Sequence, residues 1–423
     1  MTSRVLLYAT MNWPSAARYA GGFAAAGSEV HAACPGSALV TLSRYVARIH
    51  GYQPLAPLTS LKRAIKASLP DLIVACDDRA VAHLVRLHAA EMKKPGVPSS
   101  VARIIARSLG KPENYGRVIS RYGSLQELQD RGVRIPETLP VTSEQDIDHC
   151  LLVTGLPAVF KADGSWGGEG VVVAHTKEEA HAAYRKLSQA PSRLRSVARA
   201  WRRKDAHFLL DALKPNVSPV CVQQFIPGRP AASAFAAQNG KIVAAFHYDV
   251  LVADATIGPP NVVRRVDDAE MDRVVRTVAA CFGLSGLHGL DFIRDEGGKV
   301  HLIEVNPRAT QGGTLPFGPG RDLPAALAQT LSTTQVGQRA AIANDVVVFF
   351  PREMKRDPAS PYLRSGYHDI PRDDPEVLSA MLGTSPATKP TPRRFRSTLI
   401  QHLPRMPRQA QSFKKTNPIR GRT

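Results

Sequence analysis

Apolar and polar positions follow two rhythms along this chain. Ser3–Ala9 (SRVLLYA) is a short continuous apolar run, Pro14–Ala26 carries its apolar residues at helical spacing as far as Gly27, and Glu29–Ala33 is apolar again. Strand, helix and strand in that order predict an open, mostly parallel sheet. Asp71–Ala75 predicts a third strand, which ends at Cys76-Asp77-Asp78. Val101–Arg131 reads as helices that stop near Gly132. Beyond that point short strands dominate: Ala158–Ala162, Val171–Ala174, Val220–Ile226, Ser233–Ala237 and Lys241–Tyr248. Helical periods return at Glu178–Gln189, Ala269–Phe282 and Leu323–Leu331, and Asp345–Phe350 predicts a closing strand. The expected class is α/β, passing into α+β after the first third, without internal repeats.

The strongest local signal is Gly289–Gly313, GLDFIRDEGGKVHLIEVNPRATQGG. Strands at Gly289–Arg294 and Lys299–Val305 joined through Asp295–Gly298 predict a hairpin. An even turn sets Arg294 opposite Lys299 and Asp291 opposite Leu302. Glu304 and Asn306 then share a face with Asp291, and the Cβ atoms of Asp291 and Glu304 are roughly 7 Å apart as diagonal neighbours. Two carboxylates at that spacing, with an amide oxygen beside them, suit a hard cation such as magnesium, completed by water and phosphate oxygens. Arg308 adds a fixed positive charge just past the strand.

Two further stretches carry chemistry. Lys161 stands on a strand three residues before a turn from Gly164 to Gly170 (Gly164-Ser165-Trp166-Gly167-Gly168-Glu169-Gly170). Glycines there allow backbone N–H groups to approach phosphate oxygens, although the loop lacks the GK[ST] ending of a P-loop. Between the first strand and its helix lies Thr10-Met11-Asn12-Trp13-Pro14, with no glycine, which argues against a dinucleotide-binding turn. Asn12, Asp77 and Asp78 fall where such sheets bind ligands, beyond the carboxyl ends of strands, and equally where helices are capped.

The string Glu304-Val305-Asn306-Pro307-Arg308, with Asp291 thirteen residues before Glu304, resembles the metal-binding signature of the ATP-grasp superfamily. Asp291 stands where that family more often has glutamate. The resemblance implies an ATP-grasp ligase of the carboxylate–amine or carboxylate–thiol type, forming a carbon–nitrogen bond by way of an acyl phosphate. It implies a parallel-sheet domain (1–115) preceding a two-lobed grasp fold (116–345), with a flap lobe near 137–225 and a metal-binding lobe near 226–345. The segment 346–383 would wrap the surface, and 384–423 would be a basic disordered tail. Asp291, Glu304 and Asn306 would hold Mg2+ (or Mn2+), and Lys161 and Arg308 would be catalytic. ATP would be held by Lys161, Arg121, Gly164, Ser165, Trp166, Gly167, Gly168 and Gly170. Gln223, Gln224, Phe225 and Ile226 would line the adenine, and Arg264 would reach the phosphates. Arg121 is placed by counting eleven residues back from Gly132, where the family has lysine.

Composition narrows the partners. Five scattered cysteines with no C-x-x-C pair suit reduced thiols in a cytoplasm. The N-terminus lacks the pattern of a signal peptide, and no apolar run nears the roughly 18 residues that span a membrane. Thr384–Thr423 holds ten Lys and Arg and no Asp or Glu, more than half of the +19 net charge. Arg193, Arg195, Arg199, Arg202, Arg203 and Lys204 form a second basic group, expected on an amphipathic helix. Any nucleic-acid contact is therefore expected through the tail alone. The expected partners are small-molecule carboxylate and amine substrates, with room for a homodimer. A non-catalytic ATP-binding regulatory module and a nucleic-acid-associated protein are the alternative readings.

Overall fold

Four short strands make the first sheet: β1 (Arg4–Tyr8), β2 (Glu29–Cys34), β3 (Val46–Gly51) and β4 (Leu72–Ala75), all parallel, in the order β3-β2-β1-β4. This is a computed structural model, and it describes residues 2–164, 170–189, 218–254 and 258–384, with Ser196, Ala198, Ala200, Trp201 and Phe208. The basic group at 193–204 and the tail from 385 lie outside the described residues, Trp201 and its few described neighbours apart. β1 is apolar on both faces because both are covered. β3 escaped sequence reading because it is a half-exposed edge strand with Arg48 and His50 in it, and edge strands lack a buried rhythm. Helices α1 (Ser15–Ala25), α2 (Pro57–Ser68), α3 (Asp78–Met92) and α4 (Ser100–Leu109) complete this part. Asp77 fixes the end of β4 to the end of β1. Its carboxylate accepts from Thr10 N at 2.7 Å, from Thr10 Oγ1 at 2.8 Å and from Ala80 N at 2.8 Å, the last as the N-cap of α3.

Helices α5 (Tyr115–Ile119) and α6 (Arg121–Gln129) lead into a four-stranded antiparallel sheet. It comprises β5 (Thr138–Val141), β6 (Ala158–Ala162), β7 (Val171–Ala174) and β8 (Val220–Gln224), in the order β5-β8-β6-β7. Its core, around Ile147, Phe160, Ala180 and Val222, is its own. A seven-stranded sheet follows, with β9 (Arg229–Gln238), β10 (Lys241–Ala253), β11 (Pro260–Val266), β12 (Gly286–Arg294), β13 (Val300–Asn306), β14 (Val346–Val348) and β15 (Tyr367–His368). The order is β13-β12-β9-β10-β11-β14-β15. One face is covered by helix Ala269–Phe282, which begins at the cap Asp268 and ends at Gly283 in the left-handed region. The other face shares one apolar core with the first sheet: Leu7, Tyr19 and Phe23 pack in the same cluster as Ala234, Phe246, Leu287 and Leu315. Each such large side chain withdrawn from water stabilises the fold by about 1.5–3 kcal/mol.

The stretch past Pro351 does more than wrap the surface. It adds β15 to the sheet edge, parallel to β14, and puts Arg352, Asp369 and Met381 on the wall of a cleft. Its proline and charge content hid this, because a two-residue strand has no periodicity to read. The buried Glu353, held by Arg356, fastens the segment from within. All five cysteines are free thiols. Among the described residues no helix is long and apolar enough to cross a membrane.

The end of α4 and the residues before β12 also meet through backbone at Gly110, which bridges Leu284 and has φ +99°. A Cβ there would lie 2.1 Å from the Gly283 carbonyl oxygen. Gly110→Ala is therefore expected to cost roughly 2–4 kcal/mol of stability, combining left-handed strain with backbone overlap. Urea unfolding reads this directly, and an unchanged midpoint would contradict it.

Candidate functional site

A cleft of about 970 Å³ opens between the four-stranded sheet, the seven-stranded sheet and the carboxyl ends of β1 and β4. The hairpin β12–β13 supplies its acidic floor, and its register differs from the expected one in an instructive way. The turn is longer than expected: Arg294 pairs with Val300, and Asp295 closes it by accepting from Gly298 N at 3.0 Å and Lys299 N at 2.9 Å. That slip alone would send Asp291 and Glu304 to opposite faces, since side chains alternate along a strand. A bulge between Asp291 and Phe292 reverses it, leaving Ile303 as the extra residue of β13 and setting Asp291 directly opposite Glu304. The two carboxylates are thus closer than diagonal neighbours.

Asn306 continues this face. Its Nδ2 donates to Asp291 Oδ2 at 2.9 Å, and its Oδ1 accepts from Arg308 Nη2 at 3.1 Å. Arg308 Nε donates to Asp78 Oδ2 at 2.9 Å, tying the hairpin to the start of α3. Withdrawal from solvent, and then the Glu304 charge, push the Asp291 carboxyl up to about 6. Such a pair is held together at a cost that a cation would relieve. Among the described residues no group of three or more His, Cys, Asp or Glu is assembled. Two carboxylates and an amide oxygen fit a magnesium ion that draws its remaining ligands from phosphate and water, and do not make a closed protein cage.

The basic side of the cleft comes from three elements. Lys161, on β6, is buried; its Nζ donates to Gln223 Oε1 at 2.6 Å and to the Ile303 carbonyl at 3.0 Å. That carbonyl belongs to the bulge residue. Burial pushes the Lys161 ammonium below the ordinary lysine range, with Glu304 acting in the opposite direction. Arg121, the first residue of α6, reaches Glu304 Oε1 with Nη2 at 2.9 Å, while its backbone N donates to Asp163 Oδ1 at 3.1 Å. Burial raises the Asp163 carboxyl above its usual range.

The remaining sequence expectations divide. Gln224, Phe225 and Ile226 line the cleft. Gln223 also does, but its side chain is occupied by Lys161 and by Thr138, to whose Oγ1 it donates at 3.0 Å. Its side-chain amide is thus shared between Lys161 and Thr138. Arg264 does not join the site: it is exposed, pairs with Asp249 across β10 and is not part of the cleft wall. Neighbouring Arg265 takes the other face, over the Phe317 ring, and is not part of the cleft wall either. Gly164 (φ +68°) turns the chain out of β6, and Ala162 N donates to the Gly170 carbonyl at 2.9 Å, closing the base of the loop. Ser165, Trp166, Gly167 and Gly168 lie outside the described residues. Asp77 and Asp78 line the cleft, whereas Asn12 does not and accepts from Leu39 N at 2.9 Å. Sequence reasoning missed Trp13, Arg18, Tyr248 and Asp369 on the wall. Arg18 and Asp369 are 351 positions apart, so no local pattern could have joined them.

Comparison with known proteins agrees with this architecture. Residues 119–312 match the family described as the ATP-grasp domain. The fold is similar to that of N5-carboxyaminoimidazole synthetase from Staphylococcus aureus complexed with ADP, at 13% identity and TM-score 0.54, over 82% of this chain and 80% of that one. It is similar to L-amino acid ligase from Bacillus licheniformis at 15% identity and TM-score 0.52, over 78% and 74%. Biotin carboxylase from Campylobacter jejuni gives 12% identity and TM-score 0.54, over 80% and 74%. At such identities the likeness is one of fold. No curated protein matches the sequence.

Proposed function

We propose, from the premise that this chain carries an ATP-grasp domain over residues 119–312, that it is an ATP- and magnesium-dependent ligase joining a carboxylate to an amine. The supporting observation is the convergence in one cleft of Asp291, Glu304 and Asn306 with Lys161, Arg121 and Arg308. Solved structures of similar fold include complexes with ADP and MgADP and an L-amino acid ligase. We read the limits of the parts as about 1–115, 116–345 and 346–383.

In this reading Asp291, Glu304 and Asn306 would hold magnesium, which supplies charge neutralisation for the triphosphate. Lys161 and Arg121 contribute positive charge to the phosphates, and Gln223 and the Ile303 carbonyl keep the lysine extended toward them. The backbone of Gly164 to Gly170 would cover the phosphates, and Gln224 to Ile226 would line the base. A substrate carboxylate oxygen bonds to the γ-phosphorus as the bridge to ADP breaks. An amine then bonds to the acyl carbon, phosphate leaves and one proton is released. Arg308, held by Asp78 and Asn306, is placed to steady the anionic acyl phosphate. Positioning and fixed charge supply most of the acceleration in such transfers, which accounts for a site without a nucleophile–base pair.

The test is a screen of carboxylic and amino acids for acceptor-stimulated ADP release with ATP and Mg2+. Release that requires both a carboxylate and an amine is expected. Tight MgATP binding with no release for any pair would identify a nucleotide-binding module in place of a ligase.

A further inference from the structure

The wall of the cleft formed by the first sheet and the C-terminal segment contains charges that the nucleotide machinery leaves unused. Arg18 projects from α1, and Asp369 follows β15. They form a charge-assisted hydrogen bond through Arg18 Nη2. Their side chains are only 22% and 12% exposed, so this is not a solvated surface pair. Both line the same cleft as Glu304 and Arg308, and both fall outside residues 119–312. Arg18 Nη2 is taken by Asp369, Nε is enclosed by protein, and Nη1 has no hydrogen-bond partner among the described residues and is not enclosed. The Nη1 end of the guanidinium is thus the part left for a ligand, and a carboxylate is the acceptor that matches its charge and planar donors. The same cleft wall carries Trp13, Tyr248, Phe349 and Met381, which belong to or pack against the apolar cluster of Tyr19, the neighbour of Arg18.

Resting on the ligase reading above, we propose that Arg18 is the anchor for the carboxylate of the amine substrate, which makes that substrate an amino acid with an apolar side chain. The amine is required by the reaction, the carboxylate by the Arg18 fork, and the apolar side chain by the aromatic and methionine wall. Asp369 positions Arg18, fixing one edge of the guanidinium so that the other is presented to the ligand. A purely structural tie between α1 and the C-terminal segment predicts something different, a change in stability with no change in ligand selectivity.

The experiment is calorimetric titration of the full chain, preloaded with MgADP, with L-phenylalanine, L-leucine, L-phenylalaninamide, phenethylamine and 3-phenylpropionate. The free amino acids are expected to bind, and the amide and the amine to bind weaker by on the order of 10- to 100-fold. Arg18→Ala should erase that discrimination, and Arg18→Lys should restore part of it. Asp369→Asn should weaken amino-acid binding while keeping the preference for a carboxylate. Thermal unfolding of each variant checks that the fold is retained. Equal binding of phenethylamine and L-phenylalanine, or discrimination that survives Arg18→Ala, would overturn the assignment. Binding of 3-phenylpropionate as tight as L-phenylalanine would overturn the amino-acid identity. MgADP binding with no amino acid bound overturns this inference alone, whereas failure of MgADP itself to bind overturns the ligase reading beneath it.

Discussion

Glu304→Gln is expected to lower acceptor-stimulated ADP release by on the order of 10³-fold. The residue has two duties that only a carboxylate performs. It faces Asp291 across the hairpin, where together they would neutralise a cation, and it holds Arg121 at 2.9 Å. Glutamine keeps the volume and loses the charge, so the floor retains Asp291 as its one carboxylate. Binding should lose its magnesium dependence in parallel: ADP affinity of the parent rises with Mg2+, and that of the variant should not. Initial-rate assays and calorimetry with and without the metal measure both effects. A variant releasing ADP at the parental rate, with acceptor present, would remove the hairpin from the chemistry.

Lys161→Met should reduce kcat/KM for ATP by roughly 10²-fold, equivalent to about 2.7 kcal/mol of transition-state stabilisation. Methionine retains most of the aliphatic stem and removes the ammonium. It leaves the Gln223 amide oxygen and the Ile303 carbonyl without their shared donor, a cost of about 1–3 kcal/mol. Against that, a desolvated charge no longer has to be accommodated. The two contributions oppose one another, so the melting temperature should move by only a few degrees while turnover collapses. Steady-state kinetics and calorimetric melting together separate this outcome from misfolding. Retained turnover, or loss of turnover only in proportion to lost folded protein, would refute the role given to the lysine.

Much of the architecture was legible because the chain states it locally. The apolar runs of β1, β2 and β4 and the spacing of α1 announce a parallel sheet. Val171–Ala174, Ala269–Phe282 and Leu323–Leu331 are bounded as their sequences suggest. In the hairpin, the face shared by Asp291, Glu304 and Asn306 was legible and the register was not. Two irregularities, a longer turn and the bulge at Ile303, cancel, and neither leaves a mark in a hydrophobic pattern. Arg264 went astray for another reason: neither it nor Arg265 is on the cleft wall, and where their strand lies between β10 and β14 is not written in its own residues. Gln223 was read by its place on the strand, but its burial beside Lys161 decided its task. Arg18 and Asp369 were beyond reach altogether, since their meeting depends on how the last strand returns to the first helix.

The shared apolar core of the first sheet and the seven-stranded sheet bears on how the chain can be cut. Tyr19 and Phe23 of α1 are fully enclosed only because Leu315, Leu323 and their neighbours, some three hundred residues later, lie against them. A fragment ending near residue 115 would carry that bare aromatic face into solvent, and would be sticky where the intact protein is dry. The four-stranded sheet, with a core of its own, is the better candidate for excision as an autonomous piece.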